Sequence, residues 1–98
     1  MVKLSSEALL ILTSLADGAK HGYAIQQDIA LVSGRRLGPG SLYGAIARLE
    51  AAGYIAAMKA EGPKRPYRLT ASGSRALAQT VEGLQKVTAT AARRLATR

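Results

Sequence analysis

Basic side chains cluster around one predicted turn of this 98-residue sequence. Gly62-Pro63 marks the turn, and Glu61 is the single acid beside it. The cations that surround the turn are Lys59, Lys64, Arg65 and Arg68. Two or three such cations along a row of phosphates give a sequence-independent affinity that depends strongly on salt. The turn therefore predicts contact with a polyanion, whereas a charged turn that arose by chance would show no such clustering.

The net charge of the chain also predicts an acidic partner. Fourteen Lys and Arg stand against six Asp and Glu, which gives a formal net charge of +8. Such an excess favours an acidic partner, with nucleic acid first, although a basic protein without such a partner has the same balance. Arg35 and Arg36 add charge before a predicted helix, where they either lie near a phosphate backbone or are ordinary loop residues.

Catalytic chemistry has few candidates in this sequence. The chain has one His, no Cys and six scattered acids, so it offers neither a nucleophile with a nearby base nor a pair of carboxylates. His21 has no Cys and no second His to share a transition metal. We therefore expect no enzyme activity, no catalytic residues, no metal and no cofactor.

The cellular compartment follows from composition as well. The absence of Cys is compatible with a reducing cytoplasm. The longest apolar stretch, residues 8–12, is far below the ~20 residues of a membrane span, and the start does not resemble a signal peptide. We expect a cytoplasmic protein without membrane contact, associated with the nucleoid when bound to DNA.

Hydrophobic spacing predicts three short helices in a row. The first begins at a cap on Ser5 or Ser6 and ends at Asp17-Gly18. The second runs from His21-Gly22 to Ser33-Gly34, with Gly22 allowing close packing. The third follows Gly38-Pro39-Gly40, with Ser41 as a possible cap, and stops at Gly53.

A hairpin and a long helix are predicted after the third helix. The strands cover residues 54–59 and 66–69, joined by a turn over 60–65. Thr70 caps a last helix that runs toward Arg98. The fold class is therefore mainly α with a small β-hairpin: a winged helix-turn-helix domain over residues 1–69, followed by a C-terminal dimerisation helix over 70–98.

The third helix has a diameter suited to the major groove of DNA. Opposite its apolar face lie Ser41, Gly44 and Arg48, with Tyr43 on the flank. Ser41 and Tyr43 can donate hydrogen bonds, Gly44 permits close approach, and Arg48 supplies charge. The alternatives are a solvated Arg48 and a Tyr43 that packs on the hairpin.

The last helix carries an apolar seam with alternating spacings of four and three, as in a short coiled coil. Its members are Leu77, Val81, Leu84, Thr88, Ala91 and Leu95. Leu9 and Leu10 extend the apolar surface of the first helix beyond what one small core requires. These residues predict a homodimer interface; alternatively, the seam folds back onto its own domain.

Several spaced motifs resemble the PadR-like family of transcriptional regulators. The resemblance covers residues 9 to about 77. Its motifs are His21-Gly22-Tyr23-Ala24-Ile25, Gly38-Pro39-Gly40-Ser41-Leu42-Tyr43, Arg48-Leu49-Glu50, Gly53-Tyr54-Ile55, Tyr67-Arg68-Leu69-Thr70 and Gly73. The family commonly has Pro where this chain has Gly44, and the chain has neither Trp nor Phe to line an interface pocket.

The resemblance implies a homodimer joined through the C-terminal helix, with each third helix in the major groove of a roughly palindromic operator and repression of nearby genes. It also implies that Tyr23 lies near the DNA backbone and that a small hydrophobic or aromatic compound acts as effector. Two other functions stay open: a winged helix that binds protein, and a non-specific basic protein that binds nucleic acid, including RNA.

Overall fold

A computed structural model describes residues 3–60 and 62–97, and these residues form four helices and a three-stranded sheet. The predicted mainly helical architecture with a small sheet is confirmed. In chain order the elements are α1 (Ser6–Leu15), β1 (Lys20–His21), α2 (Gly22–Ser33), α3 (Pro39–Ala51), β2 (Ile55–Ala57), β3 (Pro66–Leu69) and α4 (Ala71–Ala96). Met1, Val2, Glu61 and Arg98, which fall within the predicted domain ranges, the turn and the last helix, lie outside the described residues.

The core is aliphatic and lies where α1, α2 and α3 meet. The side chains that are most deeply buried are Ile11, Leu12, Ile25, Ile29, Leu42 and Ile55. They come from the predicted stripes of all three helices and from β2, because residues three and four apart lie on one face of a helix. Tyr54, Tyr67, Leu69 and Leu77 pack around this cluster and join the sheet and the start of α4 to it.

The helix ends agree with the predicted caps at two positions and differ at a third. Ser5 Oγ accepts a hydrogen bond of 3.1 Å from Ala8 N at the start of α1, and Thr70 caps α4. The expected cap at Ser41 is wrong, because α3 already begins at Pro39 with Gly38 as N-cap. Proline suits the first helical position because its fixed φ is helical and no N–H partner is needed there.

The sheet contains a strand that the sequence did not reveal. β1 pairs with β3, so the predicted two-stranded hairpin gains a third strand and β3 becomes the centre of an antiparallel sheet with the order β1-β3-β2. β1 has two residues, too few to show the alternating pattern of a strand. It connects the start of α2 to β3, at the end of β3 that follows the wing, which is the segment between β2 and β3. β2 ends at Ala57 instead of residue 59.

α4 crosses the end of the sheet at very short range. Thr70 N donates to Tyr54 O at 3.1 Å, and Thr70 Oγ1 accepts from Gly73 N at 3.0 Å. A Cβ on Gly73 would lie 2.0 Å from Tyr54 O, so only glycine fits at this crossing. Gly73 and Ala76 are the buried residues of α4. The helix is therefore fixed at its start, and from Val81 onward all of its described residues except Thr90 are exposed.

The projecting helix makes the molecule long, with principal extents of 56 × 26 × 21 Å. None of the described helices combines the length and apolar character that a membrane span requires.

We predict that Gly73→Ala lowers the free energy of unfolding by about 1–3 kcal/mol, because the new methyl group overlaps the carbonyl oxygen of Tyr54. Gly83→Ala is the matched control on the same helix, since nothing lies within 4 Å of a Cβ there. The control should gain about 0.5–1 kcal/mol from helix propensity. Urea unfolding followed by circular dichroism measures both, and equal effects would contradict the close crossing.

Candidate nucleic-acid interface

The outer face of α3 is open to solvent, as the sequence predicts. Ser41, Tyr43 and Arg48 are exposed, whereas Leu42 and Ile46 on the opposite face are buried in the core. The Arg48 side chain lies along this outer face toward Gly44, and its Nη1 would be 3.5 Å from a Cβ at position 44. The face therefore presents a hydroxyl and a guanidinium, with a glycine between them that keeps the helix backbone accessible.

Tyr43 connects α3 to the first residue of α2. A Cβ on Gly22 would lie 2.5 Å from the Tyr43 hydroxyl oxygen, so the ring rests on the bare backbone of Gly22. Half of Tyr43 stays exposed, at 51%. The predicted close packing at Gly22 is present, and its partner is Tyr43. The hydroxyl is consequently placed at the N-terminus of α2, at the edge of the exposed α3 face.

A groove runs between the N-terminus of α2, α3 and the wing. Its lining includes Tyr23, Tyr43, Lys64 and Arg65, with His21, Gly22, Pro63 and Tyr67. Four residues from three separate parts of the predicted site therefore meet in one concave surface. The positive end of the α2 dipole adds to the charge of the two cations. Chemically, the groove offers phenol hydroxyls and two cations to an anion.

A second groove continues along the outer side of α2. It is lined by Tyr23, Gln26, Gln27, Ala30, Leu31 and Arg36. Tyr23 lines both grooves, with 61% of its surface exposed. The two grooves share Tyr23. Arg36 lines the second groove, and the wing cations Lys64 and Arg65 line the first. Gln27 was missed by the sequence analysis, although its spacing of four from Tyr23 places both on one helix face.

Arg35 is arranged differently from its neighbour Arg36. Its guanidinium donates to Glu7 Oε2 at 2.5 Å and to Ser6 Oγ at 2.9 Å, both on α1. A backbone hydrogen bond, followed by the hydrogen bond from Arg35, holds the pKa of the Glu7 carboxyl below its usual value. Among the ion pairs of the described residues, Arg35 is therefore the predicted site residue whose charge is engaged with an acid of the protein itself.

The predicted dimer residues divide into two groups. Leu10 and Leu77 are partly buried against the core of their own domain, and Leu9 is partly buried as well. The alternative considered for α4, in which its apolar seam packs against its own domain, therefore holds for the first turns of the helix. Val81, Leu84, Thr88, Ala91 and Leu95 are exposed, as is Val87, which the predicted seam omitted because it lies on its flank.

Within the described residues, no group of three or more His, Cys, Asp or Glu is arranged to hold a metal ion.

Comparison with known proteins gives both a family and a fold. The model of the transcriptional regulator PadR-like family matches residues 11–79. A 37.1 kDa protein in transposon TN4556 of Streptomyces fradiae, itself uncharacterized, is 43% identical over 86 residues, which is 88% of this chain. This chain spans only 25% of that protein's length.

Two solved structures have the same architecture. A transcriptional regulator from Clostridium thermocellum has a TM-score of 0.77 at 28% identity, with 88% of this chain and 89% of that one covered. A PadR family transcription regulator from hypervirulent Clostridium difficile R20291 has a TM-score of 0.82 at 20% identity, with 93% and 99% covered.

Proposed function

Because the chain belongs to the PadR-like family of transcriptional regulators, we propose that it binds a specific sequence of duplex DNA as a homodimer and represses transcription there. The observation that carries the proposal is the groove that joins Tyr23, Tyr43, Lys64 and Arg65 beside the exposed face of α3. In this arrangement a base-reading helix and a phosphate-binding surface lie side by side.

Base readout is assigned to the outer face of α3. An α-helix fits the major groove of B-form DNA, where arginine pairs with guanine O6 and N7 and a serine hydroxyl accepts or donates at either kind of base pair. Arg48 and Ser41 take these roles. Gly44, with open space around it apart from Arg48, lets the helix approach the groove floor and leaves room for a thymine methyl group.

Phosphate contacts are assigned to the groove and its continuation. Lys64 and Arg65 neutralise the backbone from the wing, Tyr23 donates a hydrogen bond to it, and Arg36 adds a cation beside α2. Tyr43 joins this group. The sequence suggested that it contacts bases, but its hydroxyl lies at the N-terminus of α2 among the phosphate-binding residues.

A second copy of the chain is the proposed cover for the exposed apolar row on α4. Val81, Leu84, Val87 and Leu95 are 39–66% exposed, and a row of large aliphatic side chains in water is costly. Pairing this row with the same row of another copy buries it on both. A dimer also places two α3 helices on half-sites roughly 34 Å apart, which is one turn of DNA.

The remaining expectations follow from this proposal. Residues 1–69 act as the DNA-binding part and residues 70–98 as the dimerisation helix, and occupancy of an operator blocks access to the promoter. The cytoplasm stays the predicted compartment, because the DNA of a cell without a nucleus lies there. Control by a small hydrophobic or aromatic effector also stays a prediction.

Substitution separates the two kinds of DNA contact. Lys64→Ala should weaken binding to every duplex alike and reduce the slope of log K against log salt by about 1.8 for a bound dimer, because one phosphate contact is lost in each of its two chains. Arg48→Ala should cost about 1–3 kcal/mol on the preferred duplex and much less on a scrambled one. Fluorescence anisotropy over a salt series, with a duplex selected from a random pool by the wild type, measures both effects. Identical behaviour of the two variants would contradict the assignment.

The dimer interface is tested with one charge on each side of α4. Leu84→Glu places a carboxylate in the proposed interface and should give a folded monomer with poor affinity for DNA. Gln79→Glu adds the same charge on the opposite face of the same helix and should stay dimeric. Light scattering coupled to size-exclusion chromatography gives the mass of each. A dimer of normal mass for Leu84→Glu, or a wild-type monomer, would refute the interface.

A further inference from the structure

The turn between α2 and α3 is anchored to the protein at alternate residues. α2 ends at Gly34, whose left-handed backbone (φ 71°) redirects the chain, and α3 begins at Pro39. Between them, Arg35 bonds to α1 and Leu37 is buried at 4% exposure. Arg36 is exposed and lines the groove along α2. The two adjacent arginines therefore serve different surfaces.

The contacts of Arg35 tie it to two elements, α1 and α2. Nη2 donates to Glu7 Oε2 at 2.5 Å and Nη1 donates to Ser6 Oγ at 2.9 Å. Its backbone N–H donates to Ser33 Oγ at 3.1 Å, and that hydroxyl donates to Ile29 O within α2 at 2.7 Å. Arg35 thus joins the last turn of α2 to the first turn of α1, immediately before the chain enters α3.

The anchor at Leu37 completes the restraint. Gln26 Nε2 donates to Leu37 O at 2.6 Å, while the Leu37 side chain lies in the core. With Arg35 held by α1 and Leu37 held by Gln26 and the core, little freedom is left to Gly38, the N-cap of α3. The start of the proposed base-reading helix is therefore set by these two anchors.

We propose that Arg35 is a positioning residue, which fixes the start of α3 through Glu7 and Ser6, and that only Arg36 of the pair neutralises a DNA phosphate. This inference rests on the proposed function. A phosphate that recruited Arg35 would have to compete with the Glu7 carboxylate, whose Oε2 already accepts a hydrogen bond from the guanidinium. Arg36 has no such competitor among the described residues.

Two single variants should change DNA binding in different ways, one through the salt slope and the other through the affinity for the selected duplex. Arg36→Ala should lower the salt slope by about 1.8 for a bound dimer, one phosphate contact in each chain, on selected and scrambled duplexes alike. Arg35→Ala should leave the slope at the wild-type value and reduce the affinity for the selected duplex about two- to fivefold, as expected for the loss of an exposed ion pair that orients α3. Its affinity for the scrambled duplex should stay unchanged.

A charge exchange distinguishes positioning from phosphate contact at constant net charge. In Glu7→Arg/Arg35→Glu the pair is kept but reversed, so the preference for the selected duplex should return toward wild type. If Arg35 contacts phosphate, the exchange places a carboxylate at the DNA and should lower both affinity and slope further than Arg35→Ala does. Glu7→Ala should behave like Arg35→Ala; a gain in affinity with a steeper slope would show that Glu7 merely restrains a phosphate ligand.

The outcomes separate this inference from the function it rests on. Failure of the wild type to prefer any duplex would overturn the proposed function and this assignment with it. Normal binding by the wild type together with equal loss of slope in Arg35→Ala and Arg36→Ala would overturn the assignment alone. Thermal unfolding of each variant verifies that it is folded at the temperature of the binding measurement.

Discussion

The contact on which this structure depends is the crossing of α4 over the carbonyl of Tyr54. The carbonyl occupies the space that a side chain at position 73 would fill, and it accepts the hydrogen bond of Thr70. Thr70 Oγ1 also donates to Gly53 O at 2.6 Å, so two backbone carbonyls from the turn between α3 and β2 hold the start of α4. The direction of α4 is thereby fixed relative to α3 and to the sheet. This joint therefore links the two proposed interfaces, since we propose that α3 binds DNA and that α4 binds the second copy.

The distribution of charge supports the same division of roles. In the described part of the chain, the three ion pairs are Glu7–Arg35, Asp17–Lys20 and Glu82–Lys86, and none of them involves the cations of the wing. The pKa of the Asp17 carboxyl is lowered by its hydrogen bond from Lys20. Two of these pairs, Glu7–Arg35 and Asp17–Lys20, lie where a loop meets a helix, and the third lies within α4. Three cations, Arg36, Lys64 and Arg65, line the two grooves that we assign to DNA.

Much of the fold could be predicted from the sequence because its signals are local. The stripes of α1 and α3, the caps at Ser5 and Thr70 and the position of the wing depend on residues close in the chain. β1 could not be found in this way, because it becomes a strand only by pairing with β3, which lies far along the sequence. The different environments of Arg35 and Arg36 and the contact of Tyr43 with Gly22 were hidden for the same reason. The sequence shows which residue types are present, and tertiary contacts decide which of them face a ligand.

The measurement that tests the central claim most directly is a titration of the wild-type protein with a selected and a scrambled duplex across a salt series, with stoichiometry read at the same time. A sequence-specific dimeric regulator should bind the selected duplex roughly 10³-fold more tightly, with two chains per site and a steep salt slope. Equal affinity for both duplexes would contradict base readout by α3 and leave a non-specific basic protein. Absence of binding to either duplex would contradict DNA as the partner and favour a winged helix that binds protein.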